Sequence, residues 1–246
     1  MTVHGSHRHS VVVDRRRKSI RAWQDRYRDQ ALTVLLAIQL CLVFVAAPLA
    51  AKGLPVARPI GETLLLAVVA IVAMLSHRPG AITVILVGLG ATLASLSLGW
   101  ELSPIATSVL RRGGSILTFS ALISVVSHAV YAPGRITFHR LQGAVVLYLN
   151  LATIFASAFS LIWELNPAGF ANLPPPIGGP GELAMMLYFR LTTLTTTGYG
   201  DIVPIDPFAR SLANLESVLG QFYLAITVAR LVTLELEDRR RSPPIR

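Results

Sequence analysis

The stretch Thr195-Thr196-Thr197-Gly198-Tyr199-Gly200-Asp201, followed by Pro204, is the most specific feature of this sequence. Its two glycines permit backbone angles that residues with a Cβ reach only with strain. Successive carbonyl groups of such a segment can therefore point to one side. Four copies around a common axis would form rings of oxygens, with a threonine hydroxyl adding the innermost ring. These rings would replace the water shell of a dehydrated cation.

A glycine-rich turn is the alternative interpretation of Gly198-Tyr199-Gly200. Three preceding threonines, a following aspartate and an apolar segment on each side favour the oxygen cage instead. The stretch resembles the pore signature of potassium channels, and the match extends from roughly Arg140 to the end of the chain. The pore helix, the filter and the inner helix correspond to 182–193, 194–200 and 208–233. The run 215–221 looks like the inner helix of small prokaryotic channels of the two-helix pore superfamily, the ion-channel type 2 group.

This resemblance implies a potassium-selective channel that passes K+ passively, with K+ as the permeant ion and no organic cofactor. The residues that would coordinate the ion are Thr196, Thr197, Gly198, Tyr199 and Gly200. The residues that would support the filter are Thr192, Thr195, Asp201 and Tyr188. Tyr188 stands where a tryptophan is common, and Thr192 stands where a glutamate or valine is common. The hydrogen-bond network of Asp201 must therefore be rebuilt or weaker.

The inner helix and the pore helix each carry further candidate residues. By resemblance, Gly220 is a gating hinge, and helical spacing from it predicts that Gln221, Leu224 and Val228 line the cavity. Arg190 is unexpected within a pore helix, because a buried cation is costly unless it is paired. Glu216 lies one turn before Gly220, so we expect the two charged residues to form an ion pair behind the filter. The alternative is that Arg190 extends to water or to lipid headgroups.

The composition requires a membrane. Hydrophobic residues make up 53% of the chain, charged residues 14%, and the mean hydropathy is +0.59. About twenty apolar residues cross the hydrocarbon core as a helix. Six windows are long enough: 31–51, 60–76, 81–98, 113–132, 141–162 and 211–233. The expected fold is an all-α membrane protein with six transmembrane helices, a re-entrant pore helix and filter loop between the fifth and sixth, and tetrameric assembly.

We expect four parts along the chain. These are a basic cytoplasmic N-terminal arm (1–30), a four-helix transmembrane region (31–132), a pore domain with a proline- and glycine-rich turret (133–236) and a basic C-terminal tail (237–246). Arginines concentrate in the arm and the tail, so both termini should be cytoplasmic in a multi-pass protein of the cell membrane. Four basic residues fall on the predicted outer side as exceptions: Lys52, Arg58, Arg111 and Arg112.

The net charge of +9 also bears on partners. Its positive residues lie near the cytoplasmic ends of the predicted spans, and they accompany no nucleic-acid-binding motif. We therefore expect no nucleic-acid partner. The partners we expect are three further copies of the chain, because one pore loop per chain requires a homotetramer, and the lipid bilayer. The arm would either contact anionic lipids as an interfacial helix or remain a disordered basic segment.

Two other function classes are disfavoured. A voltage sensor needs several basic residues at every third position of its fourth span, since each charge contributes only about 2.3 kcal/mol per 100 mV. The window 113–132 contains no Arg or Lys, and the adjacent Arg111 and Arg112 precede it. No set of nucleophile, base and oxyanion donors can be assembled from the spacing, so we expect no enzyme. A non-conducting accessory subunit and a weakly selective cation channel remain as alternatives.

Overall fold

The chain is described from a computed structural model that covers residues 30–54, 67–68, 71, 79–98, 101–131, 137–174 and 180–241. Within these ranges the chain is almost entirely helical. The helices are α1 (Gln30–Ala51), α2 (Pro79–Ser97), α3 (Pro104–Val130), α4 (Phe138–Leu165), α5 (Pro180–Leu194) and α6 (Pro207–Arg241). One turn of 3-10 helix and two short strands, β1 (Phe170–Ala171) and β2 (Val203–Pro204), lie at the ends of α4 and α6.

The helix boundaries follow from capping residues. Ser103 precedes Pro104 and accepts a hydrogen bond from the backbone of α3, and Thr137 does the same for α4. At the start of α6, the Asp206 carboxylate accepts from the backbone N–H groups of Phe208 and Ala209 at 2.8 and 3.0 Å. These caps satisfy N–H groups that have no partner inside the helix.

Helices α1, α3, α4 and α6 contain apolar stretches long enough to cross a membrane, and α2 contains a shorter apolar stretch, Gly80–Ser95. The protein is therefore an all-α membrane protein. The predicted second span, 60–76, lies outside the described residues apart from 67, 68 and 71, so the count of six spans stays a prediction. The predicted N-terminal arm also lies outside them, apart from residue 30. The predicted C-terminal tail is different, because α6 continues into it as far as Arg241.

Helices α2 and α3 form a hairpin that depends on two glycines. A Cβ on Gly114 would lie 2.5 Å from the Gly88 carbonyl oxygen, and a Cβ on Gly88 would lie 2.6 Å from the Gly114 carbonyl oxygen. The two backbones therefore touch where the helices cross. Small residues allow this approach between membrane helices, where packing replaces the hydrophobic effect as the main attraction.

We call α1, α2 and α3, the three helices that precede α4 in the chain, the collar. Gln39 on α1 donates to Asn150 on α4 at 2.5 Å. At the predicted cytoplasmic end, the hydroxyl of Tyr131, which follows α3, and that of Thr227 on α6 lie 2.8 Å apart within hydrogen-bonding distance. The collar is thus bonded to both the fifth and the sixth predicted spans.

The sequence placed the start of the fourth span incorrectly. Helix α3 begins at Pro104 instead of residue 113, so Arg111 and Arg112 lie within it. Both guanidinium groups reach the same carboxylate oxygen of Glu164 on α4, at 2.8 and 2.5 Å. This shared partner explains why two arginines occur on the predicted outer side. The two arginines are adjacent and start from different faces of α3, but their long side chains end at the same carboxylate oxygen.

An aromatic cluster joins α4, α5 and the segment before the turret. The ring centroids of Phe159 on α4 and Phe189 on α5 lie 5.1 Å apart, and those of Phe170 and Phe189 lie 5.7 Å apart, both edge to face. Such pairs add about 0.5–1.5 kcal/mol beyond the burial of their area. The other buried members are Phe155, Trp163, Met186 and Ala209. This core fixes α5 in the position from which the candidate site extends.

Candidate functional site

Helix α5 positions the candidate site. It begins at Pro180, places Glu182 in its first turn and ends at Leu194, directly before the predicted filter. The sequence predicted a helix over 182–193, so the observed element is longer by a few residues. A carboxylate near the start and a carbonyl-rich end near the filter both agree with the helix dipole. The C-terminal end therefore presents negative potential towards the predicted filter, residues 194–200, which we call the filter segment.

The backbone after α5 alternates in the sign of φ. Thr196, Gly198 and Gly200 have φ values of 57°, 54° and 77°, whereas Thr197 and Tyr199 do not have positive φ. The two glycines thus adopt the left-handed conformation that the sequence predicted for them. Alternation in the sign of φ allows successive carbonyl groups to point towards the same side. Thr196 shares this conformation despite its branched Cβ, which is uncommon and costly.

Hydrogen bonds hold the inner half of this segment against α5. The N–H groups of Thr197 and Gly198 both donate to the Thr192 carbonyl oxygen, at 2.8 and 3.1 Å, and Thr196 donates to Thr193 at 3.0 Å. Among the hydrogen bonds between described residues, none is accepted by a carbonyl oxygen of residues 196–200. The N–H groups are therefore occupied by the helix end, while the carbonyl oxygens are available to a ligand.

The filter segment lies at the surface of the single chain. All residues from 195 to 200 are exposed, and Tyr199 is 70% exposed. The predicted cavity residues Gln221, Leu224 and Val228 are exposed as well. Exposed apolar groups next to a strained, oxygen-rich segment are suited to burial against further copies of the chain. The cavity assignment itself stays a prediction.

Tyr188 supports the outer part of the filter segment. Its ring stacks on the Tyr199 ring, with centroids 6.1 Å apart and planes 2° from parallel, and its hydroxyl donates to the Asp201 carboxylate. Tyr188 therefore donates to Asp201, and the strength of the network, which the sequence expected to be rebuilt or weaker, stays a prediction. Thr192 does not take part, because its hydroxyl donates to the Phe189 carbonyl oxygen at 2.8 Å. Thr195 instead contacts the Thr197 hydroxyl at 2.9 Å.

The outer end of the filter segment is tied to the start of the turret. Strand β1 pairs with β2 in an antiparallel register, Phe170 opposite Pro204 and Ala171 opposite Val203. Asn172 has a backbone φ of 62°, and its side-chain amide donates to the Asp201 carbonyl oxygen at 2.9 Å. The sequence did not predict this pairing, since two-residue strands leave no periodic pattern. Of the proline-rich turret beyond it, residues 175–179 lie outside the described residues.

The inner end of the filter segment rests on α6. A Cβ on Gly220 would lie 2.5 Å from the Leu194 carbonyl oxygen. One turn earlier, the Ser217 hydroxyl donates to the Thr193 carbonyl oxygen at 3.1 Å. Tyr148 on α4 donates to the same Leu194 oxygen at 3.3 Å. Gly220 thus has a packing role that the sequence did not reveal, and its role as a hinge stays a prediction.

The two charged residues that the sequence paired are both completely buried. Arg190 and Glu216 are each 0% exposed. No side-chain nitrogen of Arg190 and no side-chain oxygen of Glu216 has a hydrogen-bond partner among the described residues. The alternative in which Arg190 extends to bulk water or headgroups is therefore wrong within this chain. An ion pair between the two charges, direct or through water, stays a prediction.

The comparisons with known proteins concern this same part of the chain. Residues 143–236 match a family described as ion channel. A segment of 79 residues is 32% identical to the potassium voltage-gated channel protein shk-1 of Caenorhabditis elegans. A segment of 50 residues is 36% identical to the inward rectifier potassium channel Kirbac3.1 of Paramagnetospirillum magnetotacticum. No solved structure matches the chain.

These matches are partial. They cover 32% and 20% of this chain, and only 15% and 17% of the two relatives. The described chain is an all-α membrane protein, and its residues 143–236 are similar to a family described as ion channel, which is a transport family. The two relatives are named potassium channels, so this part of the chain resembles potassium channels. The resemblance inferred from the sequence is thereby confirmed.

Proposed function

We propose that four copies of this chain form a potassium-selective channel that passes K+ passively across the cell membrane. The filter is lined by backbone oxygens of residues 196–200 and by the Thr196 hydroxyl. One observation carries the proposal: φ alternates in sign over five residues, a pattern that allows their carbonyl groups to point to one side. The resemblance to channels and the similarity of residues 143–236 to an ion-channel family support it.

The proposed assembly follows from the same segment. A single chain offers one face of an oxygen cage, and a dehydrated K+ needs oxygens on all sides. Four copies would cover the exposed filter and the exposed face of α6 together. In this arrangement both termini are cytoplasmic and the turret is extracellular. The channel needs no organic cofactor, and nothing in its proposed chemistry is enzymatic.

The test is ion flux through purified protein in liposomes. We expect K+ flux well above Na+ flux, from a particle of four times the 26.5 kDa chain mass in native mass spectrometry. Gly198→Asp should abolish flux, because it places a charged side chain at a left-handed position of the filter. Gly90→Ala is the matched control, since its Cβ would meet nothing within 4 Å and flux should be unchanged.

Three outcomes would contradict the proposal. Equal K+ and Na+ flux would indicate a weakly selective cation channel. A correctly assembled tetramer that passes neither ion, even in liposomes of varied lipid composition and pH, would favour a non-conducting accessory subunit. K+ flux that survives Gly198→Asp would place the conducting path elsewhere in the protein.

A further inference from the structure

Arg190 and Glu216 form a buried polar site between α5 and α6. Five side-chain atoms of this pair have no hydrogen-bond partner: the three guanidinium nitrogens and both carboxylate oxygens. They account for half of the ten buried unpartnered side-chain atoms among the described residues. The lack of partners is therefore concentrated at one place in the pore domain.

A direct contact does not satisfy these groups. A nitrogen and an oxygen within 3.5 Å in suitable geometry would form a hydrogen bond, and the pair has none. The stretches that carry the two side chains nevertheless lie against each other, because Ser217 donates to Thr193 and Gly220 packs on Leu194. Leaving buried charged groups without hydrogen bonds is strongly unfavourable. Some other group must therefore supply donors to Glu216 and acceptors to Arg190.

A neighbouring subunit or a lipid cannot supply these groups. Both side chains are 0% exposed within one chain, so nothing large reaches them from outside. Water is small enough, and a single molecule both donates and accepts. Buried waters in proteins make about three hydrogen bonds to groups that otherwise lack partners. The guanidinium group offers five N–H donors and the carboxylate about four acceptor sites, which suits several waters.

We propose that ordered water molecules bind between Arg190 and Glu216 and bridge the guanidinium group to the carboxylate. The hydrated pair fixes the second half of α5 against α6. The same face of contact contains the hydrogen bond from Ser217 to Thr193 and the approach of Gly220 to Leu194. The site therefore positions the end of α5, on which the filter begins. Only this positioning role rests on the proposed function, since the water site exists whether or not the protein conducts.

The direct test is a high-resolution electron cryomicroscopy structure of the unmodified protein in lipid nanodiscs. We expect density for water within hydrogen-bonding distance of both Arg190 and Glu216, at equivalent places in every copy. A guanidinium group in contact with the carboxylate, with no water between them, would overturn the proposal. Because the map needs no ion flux, this result is independent of whether the protein is a channel.

Substitutions at Glu216 give a second test. Glu216→Asp keeps the charge and shortens the side chain, and a hydrated site accommodates the shorter reach with water. We expect this variant to retain the tetramer. Glu216→Gln leaves Arg190 as an uncompensated buried charge, and we expect loss of most of the tetramer. If Glu216→Asp were as damaging as Glu216→Gln, a direct pair with fixed geometry would replace the hydrated pair.

A spectroscopic measurement separates hydration from stability. Water-edited solid-state NMR of arginine-labelled protein detects transfer of magnetisation from water to guanidinium nitrogens. We expect transfer to Arg190 in spite of its complete burial, with the signal assigned by its disappearance in the double variant Arg190→Met with Glu216→Leu. Absence of transfer to Arg190, while the partly exposed Arg111 shows it, would count against the proposal.

Discussion

At the scale of single residues, Thr196 contributes most to the geometry of the filter. A threonine with a φ of 57° is strained, because its branched Cβ is held close to the backbone. Strain of this kind costs of order 1–3 kcal/mol and persists only where surrounding bonds enforce it. Here the hydrogen bond from the Thr196 N–H to the Thr193 carbonyl oxygen enforces the strain. The bonds from the next two N–H groups to the Thr192 carbonyl oxygen contribute to it. The glycines could be predicted to take this conformation, but Thr196 could not, since its own preference opposes it.

Tyr188 is the residue at which removal of a single oxygen is most informative. Tyr188→Phe removes the hydrogen bond to Asp201 and keeps the ring that stacks on Tyr199. We expect the lifetime of the conducting state to fall, because the Asp201 carboxylate loses a donor. Single-channel recording of the variant measures this.

Tyr188→Trp is the control for that measurement. Tryptophan is common at this position in the potassium channels that the sequence resembles, and its indole N–H is again a donor. The lifetime should therefore recover. An unchanged lifetime in Tyr188→Phe would mean that Asp201 does not depend on this hydroxyl.

At the scale of helices, the contacts between elements were less predictable than the elements. Apolar windows located α1, α4 and α6 closely, because burial in lipid leaves a strong compositional signal. The pairing of Glu164 with two arginines left no such signal, since it joins residues more than fifty positions apart. The start of α3 was misplaced for the same reason: two charged residues appeared to end the apolar segment. Their partner on α4 is what allows the helix to continue through them.

Gly220→Ala tests the contact between α5 and α6. The new Cβ would lie 2.5 Å from a backbone oxygen, which cannot move aside as a flexible side chain can. Overpacking of this kind costs about 1–3 kcal/mol. We expect a lower thermal unfolding temperature of the tetramer and reduced flux. Gly90→Ala provides the comparison, since an unhindered helical glycine gains up to about 1 kcal/mol on this change.

A different result would separate the two roles of Gly220. If Gly220→Ala left the unfolding temperature unchanged but altered the open probability, bending at this residue would matter more than the close packing.

Glu164→Gln tests the junction between the collar and α4. Glu164 has 8% exposure and Arg112 has 15%, so their charges are largely removed from water. Breaking a buried ion pair from one side costs about 3–5 kcal/mol. We expect a marked loss of thermal stability in detergent, measured by the unfolding temperature.

Arg111→Gln should have the smaller effect. Arg111 is 36% exposed, and Glu164 keeps Arg112 as its partner when the Arg111 guanidinium group is removed. A surface ion pair contributes at most about 1 kcal/mol. Equal losses in the two variants would show that the carboxylate does not hold both arginines together.

At the scale of the whole molecule, the described collar is fixed to α4 and α6 of its own chain near the two ends of α3. Arg111 and Arg112 bind Glu164 near one end, and Tyr131 contacts Thr227 near the other. The sequence disfavoured a voltage sensor in these helices, because the arginine array is missing. It could not predict the attachments, because hydrogen bonds between distant polar residues follow no period.

These attachments predict weak voltage dependence. The two arginines of α3 are held by a carboxylate on α4, so they cannot carry charge across the field without breaking that pairing. We expect the open probability to stay nearly constant between about −100 and about +100 mV, since only several moving charges give a steep response. Planar bilayer recordings with equal K+ on both sides measure it. A sigmoidal activation curve would contradict this expectation and would require a moving charge elsewhere in the protein.

Helix α4 is attached to both ends of the filter segment. Tyr148 binds the carbonyl oxygen of Leu194 at the inner end, and Gly169, just beyond the last turn of α4, accepts hydrogen bonds from Ile205 and Asp206 at the outer end. The length of α4 therefore sets the distance between the two points at which the segment is attached. One residue inserted between the two attachment points would shift one of them by about 1.5 Å and rotate it by about 100°. The number of residues in α4, as much as their chemistry, thus determines the distance between the two ends of the filter segment.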